Sequence, residues 1–426
     1  MSTPAPGAEK PSELNFETLK AAVAGTAAAF RCRRTLQPAG GEGDKVFPPT
    51  FANAVYAMET RHVQGEKEPL HCVLLDSVQS QANRMESALQ DAVDGGTLAM
   101  PLVVVDFSGV DPTGDVAADE AAGKLLERVG RITSLQAPHR LADALLRDSE
   151  VGPDGARVAF RKSPLSQGFN DATPANATAI FALSPTALIF GMWDSTGPKG
   201  GLGAKFERAM VSEIVGIGVE RDERQRNRGV RRDPIEARSE AQVIKNPDKS
   251  WRMAEPGEKG AVNPSKINHS SIPFPKAKEG GENSGVTVAR AEQTTTVSLI
   301  ALRRLGFPVT GARTPERDAA ARTVLAALGL AAAALAMEAG SGLRSRCLLW
   351  PDAPMSWELL DRPGVEPAKY SLSAEQALAL VKSAASDAKK LGLPWPTGPL
   401  VLRPSVNLVK LIRASQILAT TEDASE

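Results

Sequence analysis

Four polar side chains lie within six residues: Gln79, Gln81, Asn83 and Arg84, directly after the apolar run and single acid of HCVLLD. Amides both donate and accept hydrogen bonds, and a guanidinium donates in a fixed fork. Such a set can hold the phosphates, sugars or base edges of a polymer, or it can organise a catalytic loop. It can equally form a structural amide network. A second set carries acids: Asp76 ends one apolar run and Asp106 ends another. Brought together by the fold, such acids could serve a metal-dependent ribonuclease. Ser77 and the run Asp194-Ser195-Thr196 add hydroxyls, yet HExxH, DxD and GxSxG are all absent. His62, His71, His139 and His269 are scattered, so no histidine arrangement selects a nucleophile or a zinc site.

A third set lies in GMWDSTGPKGGLGAKFERAM, residues 191–210. Gly197, Gly200, Gly201 and Gly203 permit close backbone approach to a ligand. Lys199 and Lys205 bracket that stretch and Arg208 follows it, so amides and ammonium groups could hold phosphates there. The G-K-[ST] of a nucleotide-binding P-loop is missing. Basic residues recur as Arg31, Arg33 and Arg34 in RCRR, as RQRNRGVRR over 224–232, and as Arg344 and Arg346. The last two share one face if LRSRC is a strand. Each cluster could neutralise nucleic-acid phosphates or be a solvated or salt-bridged surface. Phe47, Phe51, Tyr56 and Trp193 could stack on bases. Aromatics make up only 4% of the chain, so most are expected in the core.

The elements that must position these residues follow from periodicity. HCVLL reads as a strand, and Asp76 or Ser77 can cap the helix after it. In that helix Val78, Ala82, Met85 and Leu89 form an apolar stripe, with Gln79, Asn83 and Glu86 on another face. Further strands are expected at 98–107, 212–220 and 343–350, and helices at about 16–29, 117–128, 138–148, 320–340 and 373–391. LAALGLAAAALAMEAG is shorter than a membrane span and flanked by charge, which predicts a buried helix. Residues 221–285 are polar and rich in loop formers, as expected of a long insertion. The alternation implies α/β or α+β architecture.

With 426 residues and 42% hydrophobic content, the chain can bury a large core. Fifty basic side chains balance fifty acidic ones, which argues against a histone-like protein and leaves local patches to decide. Cys32, Cys72 and Cys347 form no CxxC, so a reduced, cytoplasmic protein is expected. The N-terminus lacks the basic and apolar regions of a signal peptide.

The runs LQPAGGEGDKVFPPTFANAVYAM, CVLLDSVQSQANRMESAL and FGMWDSTGPKGGLGAKFERAMVSEIVGIGV resemble the Csb1-type Cas7 proteins of type I-G (formerly I-U) CRISPR systems. The likeness resumes in LRRLGF and AARTVLAALGLAAAALAMEAGSGLRSRCLL. The resemblance implies an α+β fold with an RRM-like (ferredoxin-like) palm and inserted finger and thumb elements. On that reading, residues 1–15 are a disordered lead, 16–220 and 286–426 form the palm, and 221–285 is a thumb or finger insertion. It also implies a non-catalytic backbone subunit that polymerises along crRNA within a surveillance complex. Its partners are further copies of itself, other subunits and target DNA paired to the guide. No cofactor, metal or membrane is implied. Gln79, Gln81, Asn83 and Arg84 match the family's Q-S-Q-A-N-R segment. Lys199, Gly200, Gly201, Gly203, Lys205 and Arg208 match its glycine-rich block, and Arg344 and Arg346 its L-R-S-R. All are expected near RNA, as are Arg31, Arg33 and Arg34. The alternatives are a metal-dependent ribonuclease using Asp76 or Asp106, and a protein-only assembly scaffold.

Overall fold

The computed structural model describes residues 11–51, 55–63, 65–197, 199–219, 235, 237–238, 240–246, 250–267, 269 and 285–425. The arginine-rich run 224–232 and much of the expected insertion lie outside the described residues.

The chain is mixed α+β, as the alternation of patterns predicted. In chain order the elements that build the site are α1 (Phe16–Ala24), β1 (Ala29–Pro38), β2 (Met58–Arg61), β3 (Leu70–Asp76) and α2 (Val78–Asp94). The short strands β4 (Met192–Trp193) and β5 (Lys205–Phe206) follow, then β6 (Met210–Ile217), β7 (Arg290–Ser298) and α3 (Pro315–Glu338). The hairpin β8 (Ser341–Arg344) and β9 (Cys347–Pro351) precedes β10 (Trp357–Leu360), β11 (Ala368–Ser371), α4 (Ala374–Lys390) and α5 (Val406–Ser425).

Among the described residues the main sheet has ten strands. Its central order is β11-β10-β1-β7-β6-β3-β2, and Ser12–Glu13 pairs parallel to β11 at one edge. Ser12–Glu13, within the expected disordered lead, is therefore an ordered strand, because its backbone completes the edge ladder. Ten-residue β1 carries β10 along its first half and β9 along its last three residues. A second, five-stranded sheet includes Val103–Asp106 beside Leu400–Pro404.

Burial alternates with period two along β1 and β7, so one face of the main sheet is covered and the other is open. Helices α2 and α3 pack on the covered face, with α1 and α4 against α3. The apolar stripe Ala82, Met85 and Leu89 is buried there, as its spacing requires. Past its charged first turns helix α3 is apolar on all sides, and ten of its 24 residues are alanine. Small side chains let neighbouring helices approach closely and lose little rotamer freedom on burial. Its most apolar 18-residue window has a mean hydropathy of 1.8 and is 83% buried inside the protein. Thr314 caps it and Pro315 occupies its first turn.

Some boundaries differ from those the sequence implied. Phe16–Ala24 stops short of residue 29 because β1 has begun there. LRSRC turns back on itself between β8 and β9, with Arg346 at φ +56°, so Arg344 and Arg346 do not share a strand face.

Candidate nucleic-acid interface

Helix α2 starts where Ser77 Oγ accepts from the Ser80 amide at 3.2 Å. Asp76, released from capping, takes another role. Its carboxylate accepts from Gln81 Nε2 at 2.7 Å, Ser80 Oγ at 2.8 Å and Arg84 Nε at 3.0 Å, and Arg344 lies 3.4 Å away. Gln81 Oε1 accepts in turn from Ser212 Oγ at 2.9 Å and Gln293 Nε2 at 2.8 Å. Gln293 Oε1 then accepts from the buried Arg34 at 3.3 Å, and burial lowers the Arg34 pKa from its ordinary value. One polar chain thus crosses β3, β6, β7 and β1 beneath the helices. Arg84 and Arg344 also donate to the Leu343 and Leu75 carbonyls at 2.7 and 2.8 Å. Four residues expected near RNA, Arg34, Gln81, Arg84 and Arg344, are therefore committed to protein partners.

Asp76 is 1% exposed. Asp106 is held by Arg403 at 2.7 Å and by the Ser108 amide at 2.9 Å. Partial burial pushes its carboxyl up, but the Ser108 bonds, Arg403 and Arg131 outweigh it, and the net shift is downward. Among the described residues, no three His, Cys, Asp or Glu side chains cluster as a metal site would require.

The open sheet face carries Arg31 and Arg33. Arg31 pairs with Glu358 at 2.7 Å and Arg33 with Glu292 at 3.6 Å. Arg61 reaches Glu213 at 2.8 Å, and Arg290 reaches Glu292 at 2.7 Å. Such interleaved charge gives a phosphate polymer little net attraction. Arg346 lies over the Phe47 ring at 4.5 Å in the β8–β9 turn.

The glycine-rich block forms a hairpin. Trp193 pairs with Lys205 and Met192 with Phe206. Gly191 precedes it at φ +85°, where a Cβ would press on the Phe206 carbonyl. A Cβ on Gly203 would overlap the Asp194 carbonyl oxygen, so the tight return needs glycine. The loop amides of Gly200, Leu202 and Gly203 are spent on internal turns. Asp194 is locked by the buried Arg161 at 2.5 Å, which itself stacks over Phe169. Lys199 pairs with Asp171 at 2.8 Å on the surface, away from Lys205. The block is thus a braced platform. Gly200 and Gly201 shape its outward loop.

Between this hairpin and the start of α2 runs a groove of about 700 Å³, lined by Gln79, His139, Arg140, Trp193, Lys205 and Arg208 among others. Gln79 is exposed, and exposed Asn83 lies one turn further along the same helix face. Arg140 donates to both carboxylate oxygens of buried Glu86 at 2.6 and 2.8 Å, and to the Gly191 carbonyl at 3.1 Å. It thereby ties α2 to the hairpin. Arg208 Nε donates to the Phe190 carbonyl at 3.1 Å. The Lys205 ammonium sits 5.2 Å from the Trp193 ring centroid. Glu207, the acid in the groove, is engaged by Arg304.

The fold therefore brings Gln79, Lys205 and Arg208 together, with Asn83 a turn away. It sends Arg31 and Arg33 to the open sheet face. Of the aromatics, Tyr56 is buried as expected, whereas Phe51 and Trp193 are exposed. His139 and Arg140 complete the groove without any local sequence signal, because only tertiary packing places them beside α2.

Residues 30–221, just under half of the chain, match the family model described as CRISPR-associated protein GSU0053. The match supports a CRISPR-associated function. It spans β1, α2, the hairpin and β6, and hence all the groove residues named above. No curated protein matches the chain.

Proposed function

We propose that this CRISPR-associated chain is a non-catalytic, cytoplasmic crRNA-binding backbone subunit of a type I-G surveillance complex, of the Csb1-type Cas7 class. Copies line up along the guide and support guide-directed DNA recognition with the other subunits. The carrying observation is the groove in which Gln79, Lys205 and Arg208 converge beside an exposed tryptophan. Cations there would hold phosphates, and the guide itself would read sequence. The order β10-β1-β7-β6 supports an RRM-like palm: numbered among themselves along the chain, these four run 4-1-3-2, with β3 and then β2 added beyond β6. Both Asp76 oxygens are taken by internal donors, which favours a structural over a catalytic role for that acid.

Binding of the purified protein to single-stranded RNA of stepped length tests this. Stoichiometry should climb with length, and a single copy on every length would overturn the filament. Replacing Lys205 and Arg208 together with alanine should weaken binding and flatten its salt dependence. The log–log slope should fall by about 0.7 for each phosphate that is no longer neutralised. An unchanged affinity and slope would remove the groove from the RNA path.

A further inference from the structure

We propose that Trp193 is a stacking platform for one unpaired nucleobase of the bound strand, with Lys205 and Arg208 holding the phosphates that flank it. This rests on the RNA-binding reading of the groove and specifies which part of a nucleotide the site takes.

Trp193 is 54% exposed in a chain with few aromatics, while its hairpin neighbours Met192 and Phe206 are buried. An exposed indole forfeits the burial that draws Trp357 and Trp395 into the core. Exposure alone does not mark a site. Trp350 is also exposed, on the charge-paired sheet face opposite Gln37, and Trp251 packs edge-on to His269. Trp193 differs in lining a groove of nucleotide scale with cations at hand.

Its backbone is fixed on both sides. Gly191 accepts from Arg140 two residues before it, and Asp194 is clamped by Arg161 directly after it. Register sets Lys205 across from it, with the ammonium 5.2 Å from the ring centroid. A platform braced in this way loses little freedom on binding. The ammonium lies over one face of the indole, so a base would stack on the other, and the cation would meet the phosphate that one sugar joins to that base. Stacking uses the face of a base, so any base serves. That suits a guide whose sequence changes from one complex to the next. It also demands a single strand at this point, since bases within a duplex are stacked on each other.

The test uses fluorescence anisotropy with a labelled single-stranded RNA of about ten nucleotides, within the usual span of such sites. A uniformly abasic oligomer of the same length is measured in parallel. W193A should weaken binding of the ordinary RNA by about 5- to 150-fold with an unchanged salt slope, and W193F should recover most of the loss. On the abasic oligomer the wild type and W193A should bind alike. An equal loss on both oligomers would show that Trp193 only supports the hairpin and would overturn the proposal. So would a W193A affinity within twofold of wild type while the Lys205/Arg208 double variant is weakened. Either result leaves the RNA-binding reading standing. If the wild type binds neither oligomer at low salt, that reading fails and the stacking site fails with it.

Discussion

Replacing Asp76 by alanine separates a structural acid from a catalytic one. The carboxylate is fully enclosed, and it collects donors from Ser80, Gln81 and Arg84 with Arg344 close by. Removing it strands the buried Gln81 amide, an unsatisfied group that costs about 1–3 kcal/mol. It also leaves two guanidiniums facing each other. Their side chains are 34% and 26% exposed, so water relieves part of that charge. Breaking a buried ion pair from one side typically costs about 3–5 kcal/mol, and the sum here belongs in that range. Urea unfolding followed by circular dichroism reads the loss. At about 3 kcal/mol per molar of urea, the midpoint should drop by about 1–1.7 M with the slope unchanged. Asp76→Asn keeps an acceptor oxygen and should fall between wild type and Asp76→Ala. A midpoint shift below about 0.3 M would refute the network as a stabilising element. If that variant also lost a metal-dependent RNA cleavage seen in the wild type, the ribonuclease alternative would return.

Gly203→Ala should displace the hairpin, because its Cβ meets the Asp194 backbone, and should lower RNA affinity severalfold; Gly201→Ala, which meets nothing within 4 Å, should bind like wild type. Burial pushes the Cys32 thiol up to about 11 against the opposing influence of Arg34, and burial also raises Cys72 and Cys347. Iodoacetamide at about pH 8 should therefore leave all three unmodified in the native protein and label all three in urea, as counted by mass spectrometry. A folded thiol pKa above its unfolded value of about 8.5 stabilises fully below that pH. The Cys32 contribution should thus fade as pH climbs towards about 11, visible as a falling urea midpoint. The flattened salt dependence of the Lys205/Arg208 variant and the abasic-RNA comparison for Trp193 complete the set.

Much of the fold was legible because the patterns were strong. The apolar run of β3, the stripe of α2 and the alanine run of α3 each have one good way to be buried, whereas β1 and β7 were not among the strands expected, because their open faces carry charged and polar side chains that read as surface composition. The role of the α2 polar residues was only half legible. Gln79 and Gln81 differ by two residues, about 200° around a helix, so one faces the groove and the other the sheet. Residue type could not separate them, since an amide suits either place. The strand expected at LRSRC failed because a two-residue turn needs only a local φ change at Arg346, which leaves no periodic trace. Trp193 was open to either reading, a stacking residue or, as scarcity suggested for most aromatics, a core one. Its exposure follows from a hairpin whose register is set by distant anchors, Arg161 and Arg140, which nothing in the local sequence announces.

The polar chain under the helices also bears on how the sheet assembles. β7 contains the run Thr294-Thr295-Thr296, whose like side chains would tolerate sliding against β6 or β1. In the observed alignment Gln293 lies opposite Ile214 on one side and Arg34 on the other, within reach of Gln81. A slip by two residues would preserve which face is apolar, yet it would pull Gln293 away from both partners and bury its amide unmatched. Hydrophobic patterning alone does not penalise that error. The amide acts as a key, admitting one alignment of the central strands and rejecting its near neighbours during folding.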